Sequence, residues 1–372
     1  MFVLKIVSQT YGANCGLKGC VSDTLGGCLG QANMIFLSKY YKMKHISILV
    51  PVGESVLSSI VGAYKVFSKV NEYLIRSGQR DDNAFEIDLV GLKEETSLYN
   101  GAFTVRPTKL INEVEKTDLI IITTIIGDME LELKNNAAFI PWIKEQRVKN
   151  NAEVASLCTG AFLLAETGLL NGKSCATHWV AADTFRQMYP QIELLGEKVI
   201  SEDNGIYSSG GAYSFLNLLL HLVNKYSGRE AAIWCSKMFE IDFDRNDQNL
   251  FVIFNGQKDH ADESIKKAQL FIENNFGEKI SVEDLANMFA ISRRNFVRRF
   301  KKATTNTPLE YIQRVKIEAA KKSLESSTNN VNDVMYHVGY NDTKAFRNTF
   351  RKYTGLSPAD YRSKYNRELA MA

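Results

Sequence analysis

Cys158 stands in the run Val154-Ala155-Ser156-Leu157-Cys158-Thr159-Gly160-Ala161-Phe162, a pattern that predicts a short buried strand turning sharply into a helix. Nucleophiles occupy such elbows in many α/β enzymes. The helix N-terminus there favours negative charge, which should shift the thiol toward thiolate, and a glycine lets the helix pack closely on the sheet. Twenty residues on, Ala176-Thr177-His178-Trp179 offers a histidine able to approach the sulfur, so a Cys/His pair is conceivable. The same spacing also fits a buried structural cysteine and a histidine that merely caps the helix following it. Cys175 and Cys235 lack such a setting and read as packing residues.

A second chemistry lies near the C-terminus. Ser281 can cap a short helix over residues 282–289, and Ser292 can cap a second over 293–303, so two short helices meet at a tight turn. Phe296 and Phe300, one turn apart, must face a core. Arg294, Arg298, Lys301 and Lys302 then fall on the opposite face, with Arg293 beside them, and no acid occurs between Ser292 and Ala303. Such a face suits a major groove, where Arg donates bidentate hydrogen bonds to guanine. The arrangement repeats about 50 residues later. Residues 331–337 predict a helix, Gly339-Tyr340 a turn and residues 343–353 a second reader in which Phe346 and Phe350 copy the earlier spacing. Lys344, Asn348 and Arg351 then point outward, with Arg347 and Lys352 at the edges for phosphates. An amphipathic helix over 309–323 can hold the readers apart, to fit successive major grooves roughly 34 Å apart. The alternative is a helical bundle with a solvated basic face.

The elements that must position these residues divide the chain in two. Its 372 residues and 45% hydrophobic content suit two globular domains and exclude a single small module or a disordered chain. Residues 1–258 hold 25 Lys and Arg against 28 Asp and Glu, whereas residues 259–372 hold 20 against 14, so a basic module follows an acidic one. That asymmetry fits a nucleic-acid-binding domain joined to one that does not bind nucleic acid. Over 44–242, strands near 46–51, 84–92, 103–106, 118–125, 152–158, 198–200 and 206–209 alternate with helices near 54–75, 131–149, 179–189, 211–226 and 229–239. This predicts a parallel sheet covered on both faces. Residues 243–262 are polar and read as a linker; from residue 263 to about 365 only helical periodicity is found, with stops at Pro308, Gly339, Gly355 and Pro358.

Residues 1–43 show no sustained period; either Met43 is the initiator or they form an N-terminal extension. The start lacks the basic, apolar and small-residue succession of a secretory signal. The six cysteines show no CxxC pair, and the longest aliphatic run is far shorter than the roughly 18 residues of a membrane span. A cytoplasmic protein with reduced thiols, no structural metal and no membrane partner is expected.

Gly339-Tyr340-Asn341-Asp342 and the closing Gly355-Leu356-Ser357-Pro358-Ala359-Asp360-Tyr361-Arg362, with the duplicated units before them, resemble the DNA-binding domain of the AraC/XylS family over about 100 residues. Asn348 departs from the basic residue often found there. The Cys158 string resembles the ThiJ/PfpI domain of the class I glutamine amidotransferase-like superfamily, with Cys158 and His178 at its elbow cysteine and downstream histidine. The resemblance implies a flavodoxin-like α/β domain followed by an all-α domain with two helix-turn-helix units. Many catalytic relatives carry a carboxylate early in the first helix; here Leu57-Ser58-Ser59-Ile60 places serines there and Glu54 lies a full turn early. Ligand binding is therefore expected rather than turnover. The combination resembles the GlxA subfamily of transcriptional regulators, which implies a sensor or dimerisation domain and small nitrogenous effectors. The elbow candidates are Cys158, Thr159, His178 and Trp179, Trp179 offering its ring face to a cation. The implied partners are double-stranded DNA, a small-molecule effector, RNA polymerase and a second copy of the chain, with no cofactor. The alternatives are a cysteine-dependent hydrolase or glyoxalase-like enzyme joined to a DNA-binding domain, and a pure dimerisation module.

Overall fold

The structure, a computed structural model, describes residues 42–243, 245 and 247–366. The reading of residues 1–41, with Cys15, Cys20 and Cys28, lies outside the described residues.

The β-branched run after Met43 forms β1 (Lys44–Val50), whose Ile46, Ile48, Leu49 and Val50 are wholly buried. It lies inside a seven-stranded sheet, with two strands on one side and four on the other. On one side it pairs in parallel with β2 (Phe85–Gly91), Ile46 opposite Ile87. The short β3 (Thr96–Leu98) and β4 (Phe103–Val105) form a separate hairpin, and β5 (Lys109–Leu110) closes that edge of the main sheet. On the other side β6 (Leu119–Ile122) and β7 (Glu153–Ser156) continue the parallel run. Two residues each of β8 (Ser174–Cys175) and β9 (Glu193–Leu194) pair apart from it. The hairpin β10 (Ile200–Asp203) and β11 (Ile206–Ser209) completes the order β10-β11-β7-β6-β1-β2-β5, with only β10 antiparallel. The strand order reverses between β1 and β6, which opens a crevice at their carboxyl ends.

Both faces are covered. Helix α1 (Leu57–Arg76) packs on one face. On the other lie α2 (Met129–Asn135), α3 (Phe139–Asn150), α4 (Gly160–Glu166) and α5 (Ala182–Met188). The long α6 (Phe215–Met238), kinked at Gly228 (φ 84°), returns beside α1. The two helices expected over 211–226 and 229–239 are the two arms of α6, divided at the non-helical Gly228, whereas the single helix expected over 131–149 is itself divided. Asn136 is the cause: its Oδ1 accepts from Val52 N–H and its Nδ2 donates to Val52 O, both at 2.8 Å. A mid-helix asparagine is diverted to brace the loop that leaves β1.

The C-terminal part is helical: α7 (Glu263–Asn274), α8 (Val282–Met288), α9 (Arg293–Thr304), α10 (Pro308–Ser326), α11 (Val331–His337), α12 (Thr343–Thr354) and α13 (Pro358–Tyr365). Most starts are capped locally, by Asp262, Ser281, Thr307, Asn330, Asp342 and Ser357. Ser292 occupies the N-cap of α9 without donating or accepting a side-chain bond there, contrary to its expected capping role. Two small cores form, around Phe296 and Phe300 and around Phe346 and Phe350, and α10 contributes to both.

Lys316 of α10 is only 6% exposed. Its ammonium donates to Glu278 O (3.0 Å), Val338 O (3.0 Å) and Gly339 O (3.4 Å), joining the loop before α8 to the turn after α11. Gly339 is left-handed (φ 72°), and a Cβ there would stand 2.4 Å from Gly277 O and 2.5 Å from Lys316 Nζ. Gly172 has the same φ with open space around it. Gly339→Ala and Gly172→Ala therefore share the left-handed penalty of about 1 to 2 kcal/mol, and Gly339→Ala should cost clearly more. Chemical denaturation of the two variants checks this; equal losses would show that the turn absorbs the clash.

Candidate functional site

Cys158 follows β7 at φ 54°, a left-handed conformation that aims the side chain out of the strand-to-helix turn. Gly160 is required two residues later: a Cβ would lie 2.6 Å from Thr123 O and 2.7 Å from Ile122 O. The elbow is held from three directions. Cys158 N–H donates to Ser209 Oγ (3.3 Å), Thr177 Oγ1 donates to Cys158 O (3.0 Å) and Thr159 Oγ1 donates to Ile125 O (2.5 Å).

Cys158 is 5% exposed, and burial pushes its thiol above the ordinary range, although hydrogen bonds involving Ala212, Thr159 and Thr124 pull the other way. The thiolate expected from the helix N-terminus is thus overruled by desolvation. His178 caps the 3-10 turn Trp179–Ala181, its Nδ1 accepting from Val180 N–H at 3.0 Å. The imidazole packs on Gly211, where a Cβ would fall 2.2 Å from its Cδ2, and burial lowers its pKa. Both shifts favour the neutral form, of the thiol and of the imidazole. Of the early serines of α1, Ser59 is used structurally, its Oγ donating to Val56 O (2.7 Å) and accepting from Thr124 N–H (3.2 Å). Glu54 accepts from Tyr99 N–H at 3.0 Å.

The four elbow candidates lie near one another, the His178 and Trp179 rings 5.5 Å apart. Cys158 and Thr159 sit at the elbow and His178 against Gly211, but Trp179 lines a cavity between the α/β domain and the C-terminal helices. A residue that gave no sequence signal ties these places together. Gln248, 1% exposed, accepts from Gly211 N–H through Oε1 (3.0 Å) and donates through Nε2 to Thr177 O (2.9 Å) and Gly196 O (2.8 Å). In sequence it is one more polar residue in a polar stretch. In the structure it fastens residues 247–251 to the two segments flanking Cys158, and the 3-10 turn Asn249–Phe251 packs on α12.

The reading helices α9 and α12 bury their phenylalanines and turn their polar residues out. Arg293, Arg294, Arg298, Lys301, Lys302, Lys344, Arg347, Asn348, Arg351 and Lys352 are all exposed. Arg298 Nη2 donates to Asn295 Oδ1 (2.9 Å), and Arg293 lies 3.2 Å from Glu283. Arg299 turns inward and grips Asp262 through two bonds (2.8 and 2.6 Å), pinning α9 to the start of α7. Lys352 differs from the others, since it borders the cavity facing the α/β domain. Away from the elbow, His45 and Asp88 approach to 2.8 Å, with Glu86 nearby. Burial acts to raise the Asp88 pKa, but hydrogen bonds from His45, Lys109 and Thr108 outweigh it and hold the carboxyl below its ordinary range, an internally compensated cluster.

A family model described as DJ-1/PfpI family matches residues 60–225, and one described as a helix-turn-helix domain matches residues 285–364. The chain joins a DJ-1/PfpI-type domain to an AraC-type helix-turn-helix domain. The HTH-type transcriptional regulator GbdR of Pseudomonas aeruginosa is 24% identical over 259 residues, 69% of each chain. CdhR of the same species, also an HTH-type transcriptional regulator, is 23% identical over 268 residues, 72% of this chain and 78% of CdhR. Among solved structures, a putative transcriptional regulator protein from Vibrio parahaemolyticus is 26% identical, covering 53% of this chain and 99% of that one (TM-score 0.47). Drosophila melanogaster DJ-1beta is 14% identical, covering 54% and 100% (TM-score 0.45). No helix among the described residues of the DJ-1/PfpI and helix-turn-helix chain is long and apolar enough to cross a membrane.

The elbow's chemistry has a direct readout. The rate of Cys158 alkylation against pH should have its midpoint above the free-thiol value of about 8.5, because burial favours the neutral form. A midpoint below that value would mean an activated thiolate.

Proposed function

We propose that the chain is a sequence-specific, DNA-binding transcriptional regulator, acting on double-stranded DNA as a homodimer, whose DJ-1/PfpI-type domain senses a small nitrogenous metabolite without turning it over. The observation that carries this reading is the duplicated unit. Two helix pairs share one central helix, and each turns an exposed face bearing Arg, Lys and Asn outward, which supports contact with base edges and phosphates of a major groove. The relatives' description as HTH-type transcriptional regulators supports it. The buried thiol and neutral His178 support binding over catalysis.

Ligand responsiveness needs two states with different affinities for effector and DNA. The contacts that would differ run from Thr177 and Gly211 at the elbow, through Gln248, to the turn that packs on α12. An effector seated beside Cys158, Thr159 and His178 would act first on the Gln248 clasp.

Selection of bound duplexes from a random pool tests the reading. The expected product is a defined motif whose elements lie about one helical turn apart; sequence-independent binding that vanishes with salt would leave only a basic surface. On the selected duplex, Arg298→Ala should cost about 1 to 3 kcal/mol and relax one base position, whereas Lys301→Ala should weaken all duplexes alike and reduce the salt slope by about 1. Unchanged affinity in Arg298→Ala would reject its base-reading role.

A further inference from the structure

Between the DJ-1/PfpI-type domain and the C-terminal helices lies a cavity of about 430 Å³, a volume suited to a small metabolite. A smaller cavity of about 200 Å³ adjoins it, and Asp183, Arg186, Arg314, Lys352 and Tyr353 border both. The acids around this space are already engaged. Asp183 accepts from Arg186 (3.1 Å), Thr305 (3.2 Å) and Gln257. Glu310 accepts from Thr307 N–H (2.9 Å) and Oγ1 (2.8 Å), and Glu318 from Lys321 (2.8 Å) and Phe254 N–H (3.2 Å). Glu197 is exposed at the rim.

Arg186 and Lys321 are held by these acids, but Arg314 and Lys352 are not. The Arg314 guanidinium lies between the rings of Phe254 (5.4 Å) and Tyr353 (5.2 Å), and its Nε is buried with no hydrogen-bond partner. The Lys352 ammonium lies 5.0 Å from the same Tyr353 ring. Among the described residues neither makes an ion pair within 4.0 Å, and their field helps to keep Glu310 ionised. A buried guanidinium N–H without an acceptor is costly unless something supplies one. Rings that hold the guanidinium flat also lower the entropy cost of binding a planar or tetrahedral oxyanion.

We propose that this interdomain cleft is a binding site for a small metabolite bearing a carboxylate or phosphate group, with the oxyanion held by Arg314 and Lys352 and with Arg186 bordering the same cleft. Of the four elbow candidates, Trp179 alone borders this cavity, and the site does not depend on the regulator reading. Its position has a consequence: Lys352 rides on the second reading helix α12 and Arg186 on α5, so a bound oxyanion ties a reader to the DJ-1/PfpI-type domain.

Calorimetric titration of the full chain with inorganic phosphate and with succinate, in the absence of DNA and at an ionic strength held constant with chloride, tests it. Saturable binding of at least one probe is expected. It should weaken at least tenfold in Arg314→Gln and in Lys352→Gln and be unchanged in Lys267→Gln, an exposed cation outside the cleft. Saturation by phosphate alone assigns a phosphoryl ligand, by succinate alone a carboxylate, by both a general oxyanion site. Lys352 is exposed, so its variant keeps the test decisive should Arg314→Gln fold poorly. No saturable binding of either probe, or unchanged affinity in Lys352→Gln, overturns the proposal.

Discussion

The ammonium of Lys316 is the point on which the geometry of the C-terminal domain turns. A buried charge is tolerated only when its donors are satisfied, and here all three acceptors are backbone carbonyls at chain turns: Glu278 before the first helix pair, Val338 and Gly339 within the second. Burial pulls its pKa down, so the site is intolerant of any loss of those carbonyls. Because Lys316 belongs to α10, which also packs its apolar face into both phenylalanine cores, the two helix pairs cannot move independently of one another. A 19-residue helix is about 28 Å long, the same scale as the roughly 34 Å groove repeat of DNA. Rigidity and spacing come from the same element.

A second buried lysine on α10 extends this frame toward the other domain. Lys321 donates to Val252 O (2.6 Å) and to Glu318 (2.8 Å), fixing the stretch that follows Gln248. Gln248 in turn holds Thr177 and Gly211, which flank the elbow cysteine. The connection between domains is thus an ordered set of hydrogen bonds. Elbow and readers are joined by contacts whose breaking would be felt at both ends, which is the physical requirement for one to influence the other.

Local physics made much of this legible in the sequence. The Phe296/Phe300 and Phe346/Phe350 spacings fix which face of each reader is buried, and the limits of α8, α11 and α12 fall within a residue or so of those expected because caps and turn glycines act within a few positions. The strand-to-helix turn at Cys158 was readable for the same reason. Long-range pairings were not. Asn136 breaks a helix because of Val52, 84 residues away. The thiol environment of Cys158 is set by burial under segments more than 50 residues distant, so the dipole argument from its own helix gave the wrong direction. Gln248 lies in a polar stretch and no local pattern marks Lys316 or Lys321 for burial, while Lys352, placed by helix geometry at a phosphate-facing edge, borders the interdomain cavity.

The central claim is that α10 holds two readers at one fixed separation on successive major grooves. The most direct measurement is the affinity of the full chain for its selected duplex when about 5 or about 10 base pairs are inserted between the two elements. A rigid pair predicts that both insertions reduce affinity to that of a single element, the first by rotating the second groove away and the second by moving it out of reach. Affinity indifferent to spacing would contradict the account, since it would mean that the helix pairs reach DNA as independent units.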